Sequence, residues 1–355
     1  MAEALELAAR GLGRVSPNPM VGAVLVKAGK VVSRGWHRQF GGAHAEVEAI
    51  RNAGGNARGS TLYVTMEPCC FHGKTPACTG AVHLAEIREV VAATLDPNPK
   101  VNGKGMRQLR GCGMKTSVGL LGAEARELNE AYFTHMRKQR PFVVLKVAVT
   151  LDGMMADSAG ESKWITGPEA RARGHKLREA ADAIVVGIDT VLHDDPLLTC
   201  RTMKDKRLVR VVLDPDLELE LASRLLEVGG PALILTTNAD STRAQRLRKA
   251  GAEVVSVKQN LKGLLEWSAI LAELHRRELM TVLIEGGATV AGTALDAGIV
   301  DKVYAFQSAM VMGAGRSFSG AMRPRRLKDA LRLERVDHEC LGDDFLTTGY
   351  VHRTD

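Results

Sequence analysis

The chain has few aromatic residues, few cysteines for its length and no long apolar run. Aromatic residues make up 4% of the 355 residues, too few for an evident base-stacking platform, and the lysines and arginines behind the net charge of +7 are scattered. No apolar run approaches the roughly 18 residues that a membrane span needs. Six cysteines do not make a disulfide framework. We therefore predict a cytoplasmic protein without a nucleic-acid or membrane partner.

The length and composition are those of a globular protein with two domains. Hydrophobic residues make up 45% of the chain and charged residues 25%, which is ordinary, and 355 residues allow two substantial cores. Neither half contains an internal repeat. Arg140-Pro141 marks a change from a helical pattern to an apolar strand. We predict domains at 1–140 and 141–355.

The first half alternates between strand and helix patterns. Ala28-Gly29 separates two strand-like segments and predicts a hairpin. The alternation indicates βαβ-type units on a parallel or mixed sheet. The predicted strands are Val21–Val26, Lys30–Trp36, Leu62–Met66 and Glu89–Ala93, and the predicted helices are Met1–Arg14, one that starts at Pro76, and Glu124–Gln139.

The second half repeats this alternation and predicts a second α/β domain. Helical stretches separate several of its predicted strands. The predicted strands are Phe142–Val149, Ala183–Gly187, Leu208–Leu213, Ala232–Thr236, Glu253–Val257, Thr281–Ile284 and Lys302–Ala305, and the predicted helices include Thr242–Lys249 and Leu264–Arg277.

One set of residues in the first half has the composition of a zinc site. His44 is followed two residues later by Glu46, and Cys69 and Cys78 come after it. One imidazole and two thiolates suit Zn²⁺ and leave a fourth tetrahedral position open for a water. A water on zinc loses a proton near neutral pH, at a pKa of about 7. Glu46 is a carboxylate placed to carry that proton to a leaving amine.

The spacing of these residues constrains their placement. Residues two apart do not share a helix face, so His44 and Glu46 converge only around a helix N-terminus. The eight residues between Cys69 and Cys78 are polar and turn-forming, as expected of an exposed loop that faces a substrate. A structural zinc site remains an alternative, with Cys70 or His72 as the fourth ligand.

Two features of the second half suggest a binding site. Glu285-Gly286-Gly287 joins a predicted strand to a helix, and free N–H groups at such a helix start bind phosphate. The turn lacks the GxGxxG pattern, and a plain βα connection remains possible; Gly313-Ala314-Gly315 is a second turn of this kind. Lys146 lies inside an apolar strand, where a buried ammonium needs a partner or a cleft. The spacing does not separate a site lysine from a structural ion pair with Asp152, Asp194, Asp195 or Glu285.

Several motifs, taken together and in order along nearly the whole chain, resemble the bifunctional riboflavin-biosynthesis deaminase–reductase family. His44 to Cys78 is also the ligand set of zinc deaminases, with a longer gap between the cysteines than their usual two residues. The motifs are Ser16–Gly22, His44–Val47, Glu67-Pro68-Cys69 with Cys78 and Asp96–Pro99 in the first half, and Leu151-Asp152-Gly153, Gly160–Ile165, Thr190–Pro196 and Glu285-Gly286-Gly287 in the second.

The resemblance implies a cytidine-deaminase-like αβα domain followed by a dihydrofolate-reductase-like α/β domain. The first would hydrolyse the ring amine of a diaminopyrimidinone that bears a phosphoribosylamino group, with one Zn²⁺ per chain. The second would use NADPH to reduce the ribose to ribityl. The implied partner is therefore a small phosphoribosylaminopyrimidine, and we also expect a homo-oligomer.

The resemblance also implies roles for individual residues. Glu46 would be the proton shuttle, Lys146 would face the reacting sugar, and His44, Cys69 and Cys78 would hold zinc. Residues implied to bind the substrate are Asn18 and His37 in the deaminase, and Ser162, Arg178, Leu197, Arg201 and Glu285 in the reductase. Residues implied to contact NADPH are Ala148, Trp164, Thr190, Asp194, Gly287, Ala288, Thr289, Val290, Ala291, Gly292 and Thr293.

The chain departs from the family pattern at a few positions, which are Cys70, Met154, Pro215 and Ser308-Ala309-Met310. None of them is assigned to chemistry. Two other functions remain as alternatives. One is a nucleoside or tRNA-base deaminase with an accessory domain, and the other is a non-enzymatic, zinc-stabilised nucleotide- or RNA-binding module.

Overall fold

The computed structural model describes residues 1–203, 205–228 and 230–351. The chain divides into two compact units, Met1–Gln139 and Arg140–Asp355. No helix among the described residues is both long and apolar enough to cross a bilayer.

The first unit is built on a five-stranded mixed sheet in the order β2-β1-β3-β4-β5. β1 pairs antiparallel with β2 and β3, whereas β3, β4 and β5 are mutually parallel. Ala28 and Gly29 connect β1 to β2 with φ of 49° and 75°, the left-handed conformation that a tight hairpin requires. The strands are β1 (Gly22–Lys27), β2 (Lys30–Trp36), β3 (Thr61–Val64), β4 (Glu89–Ala92) and β5 (Lys115–Val118).

Six helices accompany this sheet. α2 packs directly on β2 at Gly35, where a Cβ would lie 2.4 Å from the backbone of Ala45 and Ala49. Only glycine allows this approach, which fixes the start of α2 beside the sheet. The helices are α1 (Ala2–Ala9), α2 (Ala45–Asn52), α3 (Cys78–Leu84), α4 (Lys104–Gly111), α5 (Gly122–Leu128) and α6 (Glu130–Lys138).

Three helix predictions for this unit were wrong in extent. The first helix ends at Ala9 rather than Arg14, because the glycines that follow favour turns and Gly13 has a φ of 71°. The helix predicted to start at Pro76 begins at Cys78. The long helix predicted up to Gln139 is two helices, broken at Asn129, whose side chain bonds both the N–H and the C=O of Met20.

The second unit contains a nine-stranded sheet in the order β11-β10-β9-β8-β12-β6-β13-β16-β15. Its first seven strands in this order are parallel, and β16 and β15 add an antiparallel hairpin at one edge. β7 and β14 form a separate pair. The strands are β6 (Phe142–Val149), β7 (Met154–Asp157), β8 (Ala183–Gly187), β9 (Val209–Leu213), β10 (Ala232–Thr236), β11 (Ala252–Ser256), β12 (Thr281–Ile284), β13 (Lys302–Gln307), β14 (Gly315–Ser317), β15 (Glu334–Leu341) and β16 (Asp344–Tyr350).

Helices cover this sheet and close its core. Every residue of β8 and β10 is buried, as expected for parallel strands with both faces covered. The helices are α7 (Pro168–Ala180), α8 (Ile188–Asp194), α9 (Arg224–Glu227), α10 (Thr242–Lys249), α11 (Trp267–Arg276) and α12 (Ala288–Asp296), with a 3₁₀ turn at Leu327–Asp329.

Sequence predictions for this unit were confirmed to the residue for four largely buried strands and one helix. β6, β8, β10 and β12 and helix α10 have the predicted bounds. The other predicted strands and the helix at Leu264–Arg277 are present with ends shifted by one to three residues. Helix α7 and the β15–β16 hairpin were not predicted; β15 is exposed over nearly its whole length and so lacks an apolar pattern.

The strand order determines where a ligand site is expected. The chain runs from β6 to β8 on one side and returns through β12, which lies between them. In open α/β sheets, ligands bind outside the carboxyl ends of the strands at such a switch point. β12 ends at Ile284, directly before Glu285 and the glycine turn. The topology therefore favours a site at this edge.

Candidate active sites

The three predicted zinc ligands come together at the starts of two helices. His44 is the N-cap residue of α2, in extended conformation, and Glu46 follows in the first turn. Cys78 opens α3, and its backbone N–H donates to the Cys69 Sγ at 3.3 Å. The predicted placement of His44 and Glu46 around a helix N-terminus is confirmed. The positive ends of both helices favour thiolates at this position.

The distances between the donor atoms fit a zinc ion. His44 Nδ1 lies 3.2 Å from the Cys78 Sγ and 3.7 Å from the Cys69 Sγ, and the donor atoms of all three residues lie within 4.8 Å of one another. Tetrahedral zinc with bonds of about 2.0–2.3 Å places its donors roughly 3.3–3.8 Å apart. The donor set and the distances from His44 to the two sulfurs therefore match Zn²⁺.

The three ligands polarise one another. The hydrogen bond from the Cys78 thiol, together with His44 and the Cys78 N–H, lowers the pKa of Cys69 to about 4. The same hydrogen bond raises the pKa of Cys78, and the hydrogen bond with Cys69 raises that of His44. The lowered pKa of Cys69 favours its thiolate, which is the form that binds zinc.

Glu46 lies beside the ligands and is removed from solvent. Its side chain is 3% exposed, and burial raises the pKa of its carboxyl to about 7. A group with a pKa near neutrality both accepts and releases a proton efficiently at that pH. Among the ligands, His44 and Cys69 act on the carboxyl through their charges and Cys78 through a hydrogen bond, so the carboxyl adjoins the cluster without being part of the donor set.

The alternative of a closed four-ligand site is not supported by the described residues. The Cys70 Sγ contacts the carbonyl of Lys100 at 3.8 Å, and His72 is exposed. The candidate metal group contains His44, Cys69 and Cys78 without either of them. Three protein ligands leave one position of a tetrahedral ion open, as catalytic zinc requires.

We expect Cys69→Ser to lose bound zinc and Cys70→Ser to keep it. The two cysteines are adjacent, so the second variant is a matched control for the first. A serine hydroxyl is a far weaker zinc ligand than a thiolate. Metal content after dialysis, measured by elemental analysis, tests this. Equal zinc loss in both variants would show that Cys70 is a ligand and that the ion has four.

A buried carboxylate holds the loop that carries Cys69. Glu67 accepts backbone N–H groups from Asp96 at 3.2 Å, Gly103 at 2.7 Å and Met106 at 3.0 Å. A Cβ on Gly105 would lie 2.1 Å from the Pro68 carbonyl, so glycine is required there. These contacts anchor the segment before Cys69 to the start of α4.

Asn18 and His37, predicted to line the deaminase site, form a chain that ends near His44. The His37 Nδ1 lies 3.0 Å from the carbonyl of Ala43 and must donate to it. Burial lowers the pKa of His37, so the neutral ring accepts from the Asn18 amide through Nε2 at 3.1 Å. Asn18 thus keeps its carbonyl oxygen for another partner. The His37 and His44 ring centroids are 5.2 Å apart.

Lys146 forms no ion pair with any of the described residues. It is half-buried on β6, and its Nζ lies 5.7 Å from the Phe306 ring centroid. The four acidic residues considered from the sequence have other partners: Asp152 bonds Thr150, Met312 and Gly313, Asp194 pairs with Lys163, Asp195 bonds Ser223 and Arg224, and Glu285 pairs with Arg178. This supports a site lysine rather than a structural one.

Arg178 and Glu285, both predicted to hold the phosphosugar, bind each other. Arg178 Nε and Nη2 donate to the two carboxylate oxygens at 2.8 and 2.9 Å, and Nη1 donates to the Thr199 carbonyl at 2.9 Å. Burial acts to raise the pKa of Glu285, but Arg178 and Lys146 outweigh it and lower the pKa overall. The pair fixes a carboxylate at the end of β12, close to Lys146.

Breaking this pair is expected to destabilise the protein in a pH-dependent way. Glu285→Gln leaves a largely buried guanidinium uncompensated, which costs about 3 kcal/mol of unfolding free energy. Because the folded pKa of Glu285 is lowered, its contribution is present above the unfolded value near 4.5 and is lost as the pH falls through the folded pKa. Denaturant unfolding should therefore show the two proteins converging below about pH 4.5.

Glu339→Gln is the matched control, since Glu339 pairs with Arg173 at an exposed site, with 47% and 29% of their side chains exposed. It should change the unfolding free energy by less than about 1 kcal/mol. A Glu285→Gln protein as stable as the wild type at pH 7 would contradict the structural role of the pair.

The glycine turn lies at the switch point, as the topology requires. The Thr190 Oγ1 accepts the Gly287 N–H at 3.0 Å, and α12 starts at Ala288 without a side-chain cap. The N–H groups of its first turn are thus available to an anion. The rest of the predicted cofactor segment is turned inward: Val290, Ala291 and Gly292 are buried, and Thr293 bonds its own helix and the indole of Trp267.

The other predicted reductase residues differ in exposure. Trp164 is 67% exposed, with the Arg171 guanidinium 4.6 Å from its ring centroid. Asp194 pairs with Lys163 at 2.9 Å. Ala148 lies two residues after Lys146 on β6 and so faces the same side. Ser162 and Leu197 are half-buried, and Arg201 is exposed.

Sequence reasoning did not assign several residues that support these sites. Thr75 places its hydroxyl 3.4 Å from the His44 Nε2, the nitrogen left free when Nδ1 binds metal. Asn129 bonds the backbone of Met20 and so holds the segment that contains Asn18. His175 lies close enough to the charged residues of the reductase site for them to affect its pKa. Of these residues, Thr75 could have been suspected from the sequence, because it lies in the loop between the two zinc-binding cysteines. The others act through contacts that spacing along the chain does not show.

Two family models match the chain, one in each unit. The cytidine and deoxycytidylate deaminase zinc-binding region matches residues 1–94, and the RibD C-terminal domain matches residues 141–347. The predicted fold class is confirmed: an N-terminal zinc-binding domain of the cytidine-deaminase type is followed by a dihydrofolate-reductase-like α/β domain.

Similar proteins cover both units at once. The riboflavin biosynthesis proteins RibD of Aquifex aeolicus and Bacillus amyloliquefaciens are each 42% identical to this chain, over 97% and 98% of it and 95% and 94% of their own lengths. One solved structure is that of a diaminohydroxyphosphoribosylaminopyrimidine deaminase/5-amino-6-(5-phosphoribosylamino)uracil reductase from Thermotoga maritima. Its sequence is 38% identical to this chain, and the two structures match with a TM-score of 0.88 over 99% of this chain and 97% of that one. Acinetobacter baumannii RibD matches with a TM-score of 0.89 at 33% identity, over 98% of this chain and 97% of its own.

These matches argue against the two alternatives, a nucleoside or tRNA-base deaminase with an accessory domain and a non-enzymatic module, because a relative of the same two-domain extent is named as a deaminase/reductase. The His44, Cys69 and Cys78 group lies where the deaminase model matches, and the lysine strand and glycine turn lie within the reductase match. The chain belongs to the RibD family of bifunctional deaminase–reductases of riboflavin biosynthesis.

Proposed function

We propose that the chain deaminates 2,5-diamino-6-(5-phosphoribosylamino)pyrimidin-4(3H)-one and then reduces the ribose moiety of the product with NADPH, giving 5-amino-6-(5-phosphoribitylamino)uracil. The observation that carries the proposal is the His44–Cys69–Cys78 group beside buried Glu46, in one chain with a reductase domain. The Thermotoga maritima relative is named for both of these activities.

In the deaminase, one zinc per chain, held by His44, Cys69 and Cys78, would supply Lewis acidity for attack by water on the ring carbon. Glu46 takes a proton from the attacking water and delivers it to the departing amine. Burial raises the pKa of this carboxyl, which favours its uptake of the proton. Asn18, held by neutral His37, offers a carbonyl oxygen to an N–H group of the pyrimidine.

In the reductase, hydride comes from the nicotinamide, and the protein supplies orientation and charge. Lys146 faces the reacting part of the sugar and stabilises or protonates the oxygen that is released when the ribose ring opens. Glu285, fixed by Arg178, accepts hydrogen bonds from sugar hydroxyls. Ser162, Leu197 and exposed Arg201 complete the substrate site, with Arg201 free to bind phosphate.

The dinucleotide is proposed to lie across the switch point. The start of α12, from Gly287 to Thr289, would bind its pyrophosphate through backbone N–H groups. Trp164 would pack on a cofactor ring, and Thr190, Asp194 and Ala148 would border it. Val290 to Thr293 would contribute by shaping the helix, since their side chains are turned inward.

A reducing compartment suits this chemistry. Two of the zinc ligands are thiols, and all six cysteines are free, so we propose that the protein works in the cytoplasm. We also propose that it works as a homo-oligomer.

Product analysis tests the proposed function. The purified protein with zinc should release ammonia from the diaminopyrimidinone compound in the absence of NADPH, and should form the ribityl product once NADPH is added. Cytidine and deoxycytidylate serve as control substrates, because the deaminase match alone does not distinguish them. Release of ammonia from either control but not from the diaminopyrimidinone would contradict the proposal.

A further inference from the structure

Helix α7 carries a histidine with an unpaired buried nitrogen. The His175 Nδ1 is sealed from solvent and has no hydrogen-bond partner among the described residues. Nearly all buried polar groups in proteins are paired, and leaving one unpaired costs about 1–3 kcal/mol. The residue as a whole is half-buried, so solvent reaches the ring from its Nε2 side.

The ring borders the reductase site. His175 and Arg178 are three residues apart on α7 and therefore lie on the same face. The preceding residue, Gly174, adjoins Lys146: a Cβ there would be 3.6 Å from the Lys146 Cε. The charged groups that act on the ring are Arg178, Arg201, Glu285 and Lys146. These are residues proposed to hold or face the phosphosugar.

The surroundings determine where the ring carries its proton. A buried N–H without an acceptor is rarer and more costly in proteins than an under-satisfied acceptor. The sealed Nδ1 is therefore the lone-pair nitrogen, and Nε2 carries the hydrogen. Burial, followed by the positive charges of Arg178 and Arg201, lowers the pKa of His175, so the ring is neutral at neutral pH. It presents one uncharged N–H donor to the site.

We propose that His175 is a further substrate-binding residue of the reductase, which donates a hydrogen bond from Nε2–H to a hydroxyl oxygen of the sugar. This rests on the proposed reductase function. The sugar, rather than the phosphate, is the partner because the neighbouring Gly174 adjoins Lys146 and Arg178, on the same face of α7, holds Glu285. Both Lys146 and Glu285 are assigned to the sugar, whereas exposed Arg201 is assigned to the phosphate. The contact turns the sugar towards Lys146.

Three substitutions test the position of the donor. The amide nitrogen of glutamine reaches the place of imidazole Nε2, whereas that of asparagine reaches the place of Nδ1. We expect His175→Gln to keep the reductase kcat/KM for the sugar substrate within about threefold, and His175→Asn and His175→Leu to lose about tenfold, the value of one hydrogen bond of about 1.4 kcal/mol. NADPH affinity and ammonia release should remain at wild-type values in all three.

Several results would overturn the proposal. A His175→Leu protein with wild-type kcat/KM for the sugar would do so, as would equal losses of NADPH affinity and sugar turnover, which indicate a structural role. If His175→Gln failed like leucine and the pH profile lost a limb, the ring would be a charged general acid instead. Inorganic phosphate should inhibit wild type and His175→Leu equally; weaker inhibition of the variant would place the histidine on the phosphate.

The wild-type protein separates this inference from the proposed function. If it shows no NADPH-dependent turnover of the sugar, the proposed function itself is wrong. If it turns over normally and His175→Leu is unimpaired, the inference alone is wrong.

Discussion

Replacing Glu46 by glutamine is expected to lower the rate of ammonia release about a thousandfold while bound zinc and NADPH-dependent reduction are retained. Glutamine has nearly the same volume and fits the same buried position, but it takes up no proton at neutral pH. General acid–base groups contribute about 10²- to 10⁴-fold, and this carboxyl is assigned two proton transfers in one reaction. Ammonia release is measured on the diaminopyrimidinone compound, and reduction on the compound that is already deaminated.

Glu48→Gln is the matched control for this prediction. Glu48 lies on the same helix, two residues further, but forms ion pairs with Arg38 and Arg51 near the surface. It should keep ammonia release within about twofold of wild type, since exposed pairs contribute little. If Glu46→Gln and Glu48→Gln deaminated equally well, the carboxyl beside the zinc ligands would not be the proton shuttle.

Lys146→Ala is expected to reduce sugar reduction at least about a hundredfold and to leave ammonia release unchanged. Removing one preorganised group that stabilises charge in a transition state costs about 10²- to 10³-fold. The structure leaves this ammonium without an ion pair among the described residues, beside the Glu285 carboxylate. Single-turnover oxidation of NADPH with the deaminated substrate measures the effect on the chemical step.

Lys302→Ala is the control for Lys146→Ala. Lys302 lies on the neighbouring strand β13, and its Nζ bonds the Tyr350 hydroxyl at 2.8 Å. It should retain nearly full reduction. Loss of both activities in a folded Lys146→Ala protein would contradict two separate active sites, and unchanged reduction would remove the lysine from the mechanism.

Much of the fold was predictable because buried parallel strands have sequences that are largely continuous apolar runs. β8, β10 and β12 follow this rule, β6 follows it except at Lys146, and all four have the predicted bounds. The zinc site was predictable because ligand chemistry restricts residue type. The two-residue spacing from His44 to Glu46 then required a helix N-terminus, which the structure contains.

The remaining features depend on contacts between distant parts of the chain. The break between α5 and α6 arises because the side-chain amide of Asn129 forms hydrogen bonds with the backbone of Met20, 109 residues away. Arg178 was predicted to help hold the phosphosugar, and its pairing with Glu285, 107 residues further along, could not be predicted. The strand β15 carries charged residues at an exposed edge, so its sequence lacks the alternation that marks a half-buried strand. Such contacts leave no pattern in the neighbouring sequence from which they could be predicted.

Removal of zinc from the wild-type protein tests most directly whether two independent active sites share this chain. Chelation should stop ammonia release from the diaminopyrimidinone compound, restoration of zinc should bring it back, and NADPH-dependent reduction of the deaminated compound should continue throughout. The account would be contradicted if ammonia release persisted in the metal-free protein, or if both reactions stopped and returned together.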